Sequence, residues 1–295
     1  MTQYKKQHFV PQSYLKAWCD TACPKYYKPY VWRFTKDGTH VQQKAPKNIF
    51  YENDMYTIKN AGERNLILEH GLQTIEDLFC RVNTSTLSKA NEIDEDSKFI
   101  ICLFISALHA RTKARRNFIQ QQYQRAIDLA DKFMEAYKNA SPHQRKAMEH
   151  SSIAINTDNH SMSYEEVKEL AQDPLKHTLF TEIEAATPML NKLDMAILQT
   201  ENKRGFITSD NPCIWHDPEA YKRPLQFQSP ALMYESIEII LPVSPSQLVL
   251  LNRQGINGYI PIFYPVYEVY NRILRYRCDE YFIVNCNQAD KYWFS

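Results

Sequence analysis

Asp194-Met195-Ala196-Ile197-Leu198-Gln199 marks a change of hydrophobic period, and that change decides the fold class. From here on apolar residues gather in runs of strand length: Gly205-Phe206-Ile207-Thr208, Ile237-Glu238-Ile239-Ile240-Leu241, Leu248-Val249-Leu250-Leu251 and Tyr281-Phe282-Ile283-Val284. Such short, β-branched runs read as strands, several of them buried on both faces. Before it, residues 63–193 hold Pro142, Pro174, Pro188 and Gly71 as their only breakers, and apolar side chains recur at helical spacing. Helices and strands are therefore segregated along the chain. This predicts an α+β fold, with a central helical bundle of long helices followed by a C-terminal mixed or antiparallel sheet. One more helix is expected over residues 266–274, just before the last strand.

Within the helical region, Leu68, Leu72, Ile75, Phe79 and Val82 form one stripe. Glu69 and Glu76 lie beside it, two turns apart, so both carboxylates can face one partner element and serve a metal or an arginine. Asp94-Glu95-Asp96-Ser97 is a helix start, placing negative charge at the positive end of the dipole. Residues 98–139 contain neither Pro nor Gly and read as one long helix or two abutting ones. At their junction, His109-Ala110-Arg111-Thr112-Lys113-Ala114-Arg115-Arg116 spreads cations over more than one face. Some must point inward, and an inward arginine requires an anionic partner. Further helix starts stand at Ser141-Pro142, Ser163-Tyr164-Glu165-Glu166 and Asp173-Pro174, with residues 151–161 read as a loop.

Upstream, Gln7-His8-Phe9-Val10-Pro11 is a rigid, extended lead-in, because proline removes a donor and holds Val10 out of the helical region. Tyr14, Leu15 and Trp18 follow at helical spacing and fix His8 against the body of the protein. Tyr30-Val31-Trp32-Arg33-Phe34, the turn Lys36-Asp37-Gly38 and the return over residues 39–43 predict a small hairpin. The stretch from Asn48 to Thr57 is irregular and could place Glu52 and Asp54 beside it. The expected organisation is a single compact domain over residues 1–295, divided into an N-terminal helix and β-hairpin (1–62), a helical region (63–193) and a sheet region (194–295).

Composition excludes several functions. The chain has 295 residues, 44% hydrophobic, with Lys plus Arg (35) nearly balancing Asp plus Glu (34). A net charge of +1 argues against a protein that coats nucleic acid by bulk electrostatics and leaves a local basic face as the alternative. With only 6 glycines and no Walker or dinucleotide fingerprint, a Gly-rich phosphate loop is not expected. Seven scattered cysteines fit reduced thiols and a cytoplasmic location, and Cys19 and Cys23 lack the second pair that a zinc site needs. No run of membrane-spanning length is present, and no membrane partner is expected.

Three motifs carry a resemblance: His8-Phe9-Val10-Pro11 with Tyr14-Leu15, Thr208-Ser209-Asp210-Asn211-Pro212, and Leu241-Pro242-Val243-Ser244-Pro245. Together the chain resembles the bacterial domain-of-unknown-function 4238 family. The resemblance implies an acidic, Tyr-containing segment at Glu52 to Tyr56, a Glu-bearing helix with Glu69 and Glu76, and an arginine at Arg111. One departure is that Gln7 stands where the family pattern has the first of two histidines, so a role for one imidazole is expected, and not for two.

Taken as chemistry, His8, Glu69, Glu76, Arg111 and Asp210 are the expected catalytic cluster. His8, Glu69 and Asp210 are the expected ligands of Mg2+ or Mn2+, and Lys113, Arg115 and Asn211 are expected to hold substrate. Carboxylates, one imidazole and phosphate-binding cations suit a metal-assisted nuclease of the kind used in bacterial or phage conflict, acting on RNA or DNA. The alternative is a non-catalytic sensor or protein-interaction module, with a protein partner or a second copy of the chain, whose polar cluster serves only the fold.

Overall fold

Strand β1 (Lys6–His8) ends just before Pro11, where the chain turns into the one-turn helix α1 (Gln12–Leu15) and tightens into a 3₁₀ turn over Lys16–Trp18. The computed structural model describes residues 5–24, 26–60, 63–152 and 162–294. Tyr14, Leu15 and Trp18 are all buried, as their spacing predicts. Strands β2 (Val31–Thr35) and β3 (Val41–Lys44) form the expected hairpin, with Phe34 opposite Val41. Gly38 supplies the positive φ of +73° that its turn needs. The segment read as irregular forms strand β4 (Tyr51–Asn53), which pairs antiparallel with β1. A small ladder of β5 (Ile58–Asn60) and β6 (Glu63–Asn65) comes next, so the helical pattern begins at Ile67 and not at residue 63.

Helix α2 (Ile67–Ser85) buries Leu68, Leu72, Ile75, Phe79 and Val82, the stripe read from sequence. Residues 98–139 resolve into two helices, α3 (Glu95–Ala110) and α4 (Lys113–Asn139). The break is local chemistry: the Thr112 hydroxyl accepts the Arg115 N–H at 3.1 Å and starts a new helix. Asp94 caps α3 in the same way, accepting the Ser97 N–H at 2.8 Å. Helix α5 (Pro142–Ser152) takes Ser151 and Ser152 from the expected loop, and residues 153–161 lie outside the described residues. Helix α6 (Tyr164–Gln172) opens on a complete capping box of Ser163 and Glu166, and α7 (Pro174–Asn191) opens on Pro174. The apolar run from Phe99 to Ile105 lies in α3, packed between α2 and α7, with Phe104 stacked on Phe79 at 3.8 Å. Burying such a side chain contributes about 1.5–3 kcal/mol. Among the described residues no helix is long and apolar enough to cross a membrane.

The remaining elements are β7 (Asp194–Gln199), β8 (Thr208–Ser209), β9 (Ile214–His216), β10 (Glu238–Ser244), β11 (Gln247–Asn252), β12 (Gly258–Pro261), α8 (Val266–Arg277) and β13 (Tyr281–Val284). Five strands form a mixed sheet in the order β12-β7-β11-β10-β9, antiparallel except where β12 runs parallel to β7. The last strand leaves that sheet. It joins the N-terminal hairpin in the order β3-β2-β13-β8. Of the strand expected over residues 205–208, only Thr208 pairs, because the polar groups before it are already taken. Asn271 of α8 donates to the Gly205 carbonyl at 2.9 Å and accepts the Ile207 N–H at 3.0 Å, and the Phe206 N–H goes to the Pro245 carbonyl at 2.7 Å. Gly205, at φ +60°, approaches Pro245 so closely that a Cβ would sit 1.8 Å from its carbonyl oxygen. One hydrophobic cluster draws residues from all three sub-regions, including Val10, Phe104 and Val249.

Candidate functional site

The pairing of β1 with β4 sets the two faces of the opening motif. Side chains alternate along a strand, so Gln7 and His8 point to opposite sides. Gln7 is fully buried: its oxygen accepts the Tyr56 N–H at 2.6 Å and its amide donates to the Thr57 hydroxyl at 3.0 Å. The glutamine that departs from the family pattern therefore closes the β4–β5 connection. His8 stands on the other face, its ring 5.5 Å from that of Tyr51, with Nδ1 3.4 Å from the Gln12 amide. Its buried Nε2 has no side-chain hydrogen-bond partner among the described residues.

Arg111 is the centre of the site. It caps the end of α3 at the break before α4 and is 1% exposed. Its Nη1 donates to Glu76 Oε1 of α2 at 2.8 Å, the anionic partner that an inward arginine demands. Among the described residues Nε and Nη2 have no partner, and donors left unpaired in the interior are costly. Beneath it, the buried Tyr56 hydroxyl donates to the Arg111 carbonyl at 3.0 Å. Burial pushes the Tyr56 phenol well above its ordinary range, so it stays neutral.

Two titratable groups share the Arg111 field. Burial raises Glu69 to about 7; Arg111 opposes the rise, and the neighbouring Glu76 charge adds to it. Burial lowers His8 to about 4; the Lys47 backbone opposes this, and the charges of Arg111 and Lys6 add to it. At neutral pH His8 is an uncharged base, while Glu69 is poised to hold or release its proton. Glu76 and Tyr56 thus touch Arg111 directly, whereas Glu69 and His8 feel its charge.

Asp210 has partners of its own. Its two carboxylate oxygens accept the backbone N–H groups of Asp279, Glu280 and Tyr281 at 2.8, 2.7 and 2.9 Å. Burial raises its pKa to about 6 against these three donors. The carboxylate ties the turn after β8 to the start of β13, and Asn211 adds a bond from its amide to the Arg277 carbonyl at 3.1 Å. Asp210 also lines a small chamber of about 200 Å³ whose other walls include Phe9, Tyr51, Lys113 and Tyr281. Among the described residues no group of three or more His, Cys, Asp or Glu side chains is placed to hold a metal ion.

The junction cations are also committed. Lys113 pairs with Glu52 at 3.0 Å, Arg116 pairs with the same carboxylate, and Arg115 pairs with Glu182 at 2.9 Å. Lys113 lies 5.2 Å above the Phe9 ring. Sequence reading placed Glu52 near the hairpin but missed it as the acid that neutralises this junction. The signal was present in the composition of the junction itself, where three cations within one turn of helix call for carboxylates opposite.

Fold and site define an α+β protein with a buried arginine, paired to a carboxylate, at the end of its third helix. A family model described as protein of unknown function (DUF4238) matches residues 6–262, and the chain belongs to that family. No curated protein and no solved structure matches it.

Proposed function

We propose that the Arg111 centre hydrolyses phosphodiesters and that the protein is a nuclease acting in the cytoplasm, of the kind used in bacterial or phage conflict. The observation that carries this reading is Arg111 itself, almost wholly buried, with one guanidinium nitrogen on Glu76 and two unpartnered. A planar fork with free donors fits the oxygens of a phosphate. Glu76 fixes the fork's orientation. Neutral His8 takes the proton of the attacking water, and protonated Glu69 gives its proton to the leaving oxygen, so the pair returns to its starting charge after one proton passes back.

Mg2+ or Mn2+ enters this proposal as an added reagent, and no step above is assigned to it. The test is cleavage of labelled RNA and DNA oligonucleotides with Mg2+, with Mn2+ and with EDTA. Wild type is expected to cleave, and His8→Ala and Glu69→Gln are expected to lose about 100-fold or more while staying folded. No cleavage under any of the three conditions, or cleavage undiminished in both variants, overturns the reading.

A second reading has its own observation. Helix α4 leaves Phe118, Leu129, Phe133 and Met134 exposed, an apolar surface suited to a protein partner or a second copy of the chain. On that reading Arg111 and Glu69 serve stability, and their substitution lowers function and melting temperature together.

A further inference from the structure

We infer that the outer face of helix α8 is a binding groove for single-stranded nucleic acid. The groove has a volume of about 640 Å³ and is lined by Arg272, Arg275, Arg277, Tyr276, Phe294 and His216 among others, with no carboxylate among the described residues of its wall. Arg272 and Tyr276 lie one helical turn apart and face the same way. Both are exposed, Tyr276 at 65%. Arg272 and Arg277 have no ion pair among the described residues, unlike the junction cations of α4. Arg275 is held in place by donating its Nε to the Trp293 carbonyl at 2.9 Å, and its guanidinium lies 4.7 Å above the Phe294 ring. Nearby, the Lys36 ammonium donates to the Cys278 carbonyl at 2.6 Å and stands 6.0 Å from the Tyr276 ring.

Arginines at a helix C-terminus complement the dipole, which accounts for Arg275 and Arg277. It does not account for Arg272, which stands more than a turn earlier in α8. Cations without counter-charges, interleaved with an exposed aromatic ring, are the elements of a single-strand site: the cations follow phosphates and the ring stacks on a base. The end of α8 is tied to the Asp210 turn: Asn211 bonds the Arg277 carbonyl, and its neighbour Asp210 lines the chamber with Phe9, Tyr51 and Lys113. Choosing nucleic acid over other polyanions rests on the phosphodiester chemistry proposed above, and the inference deepens it by naming an unpaired strand as the substrate.

The experiment is equilibrium binding of fluorescent single-stranded DNA and RNA 12-mers in EDTA, read by anisotropy across a salt series. Wild type is expected to bind, with affinity falling as salt rises. Tyr276→Ala is expected to weaken binding about tenfold. Arg272→Glu with Arg277→Glu is expected to weaken it further and to reduce the salt slope by roughly 1.4. Circular dichroism melts of these exposed-site variants establish that they fold. Equal or tighter binding of duplex, equal or tighter binding of poly-glutamate, or indifference to these substitutions overturns the inference. Binding without cleavage in the Mg2+ and Mn2+ assay overturns the hydrolytic reading and leaves the groove standing; cleavage without dependence on α8 does the reverse.

Discussion

The Tyr14 hydroxyl donates to the Pro242 carbonyl at 2.7 Å, and the Thr208 hydroxyl, also 2.7 Å away, can donate back to it. One phenol thus joins the three motifs that carry the family resemblance. Burial raises the phenol far above its ordinary range, against the Thr208 hydrogen bond, so it remains a donor at all working pH values. Tyr14→Phe leaves a buried carbonyl and a buried hydroxyl unpaired. The expected cost is about 1–3 kcal/mol in urea unfolding. Adding Thr208→Val to Tyr14→Phe should cost less than the sum of the two single changes, because the pair shares a partner. Strict additivity would count against the junction.

The Arg111–Glu76 pair makes an asymmetric prediction. Side-chain exposure is 2% for Arg111 and 23% for Glu76, so removing the acid strands a charge with nowhere to go. Glu76→Ala is expected to destabilise the protein by about 3–5 kcal/mol, measured by denaturant midpoint. The double change Arg111→Met with Glu76→Leu should recover most of that loss and still lack activity. Recovery of activity in the double variant would remove Arg111 from the chemistry.

The pH dependence of stability follows from two opposed groups. Folded Glu69 keeps its proton up to about 7, whereas an unfolded glutamate loses it near 4.5. Wild-type stability therefore declines as pH rises through that window, and Glu69→Gln should gain melting temperature relative to wild type from pH 4.5 to 7 and then level off. Folded His8 resists protonation down to about 4, whereas the unfolded imidazole charges below 6.5. Acid then favours the unfolded chain, so His8→Gln should be relatively more stable at pH 4.5 than at pH 7. Thermal melts at half-unit pH steps separate the two. The same assignments predict a rate that falls below about 4, where His8 is charged, and above about 7, where Glu69 has lost its proton.

Asp210 is expected to act on the fold and not at the reacting atoms. Asp210→Ala strands three backbone donors at residues 279–281 and should lower stability by about 2–3 kcal/mol. Asp210→Asn keeps both acceptor positions only in part and should fall between. If Asp210→Asn abolishes cleavage with an unchanged melt, the aspartate belongs to the chemistry after all.

How far the sequence could be read depended on the range of the interaction. The stripe from Leu68 to Val82, the Asp94 cap and the Ser163 capping box are set by neighbours within one or two turns, and each stands where its pattern put it. Glu76 opposite Arg111 was legible too, since a charge that must point inward demands an opposite one. What escaped was long-range backbone bonding. Nothing near Asp210 announces that its oxygens go to N–H groups about 70 residues away, because every residue offers the same amide. The Gly205 segment reads as a strand by composition, yet Asn271 and Pro245 occupy its polar groups first. The partner of the last strand was equally silent: β-branched runs declare a strand and not its neighbour.

That last strand has a consequence for synthesis. The hairpin at residues 31–44 leaves the ribosome early, yet its sheet partner, residues 281–284, follows roughly 240 residues later. At about 5–20 residues per second, the inner edge of the hairpin waits on the order of ten seconds or more with its ladder open. Phe34, stacked on Phe282 at 5.2 Å in the finished protein, lacks that cover for the interval and is a natural binding target for a chaperone.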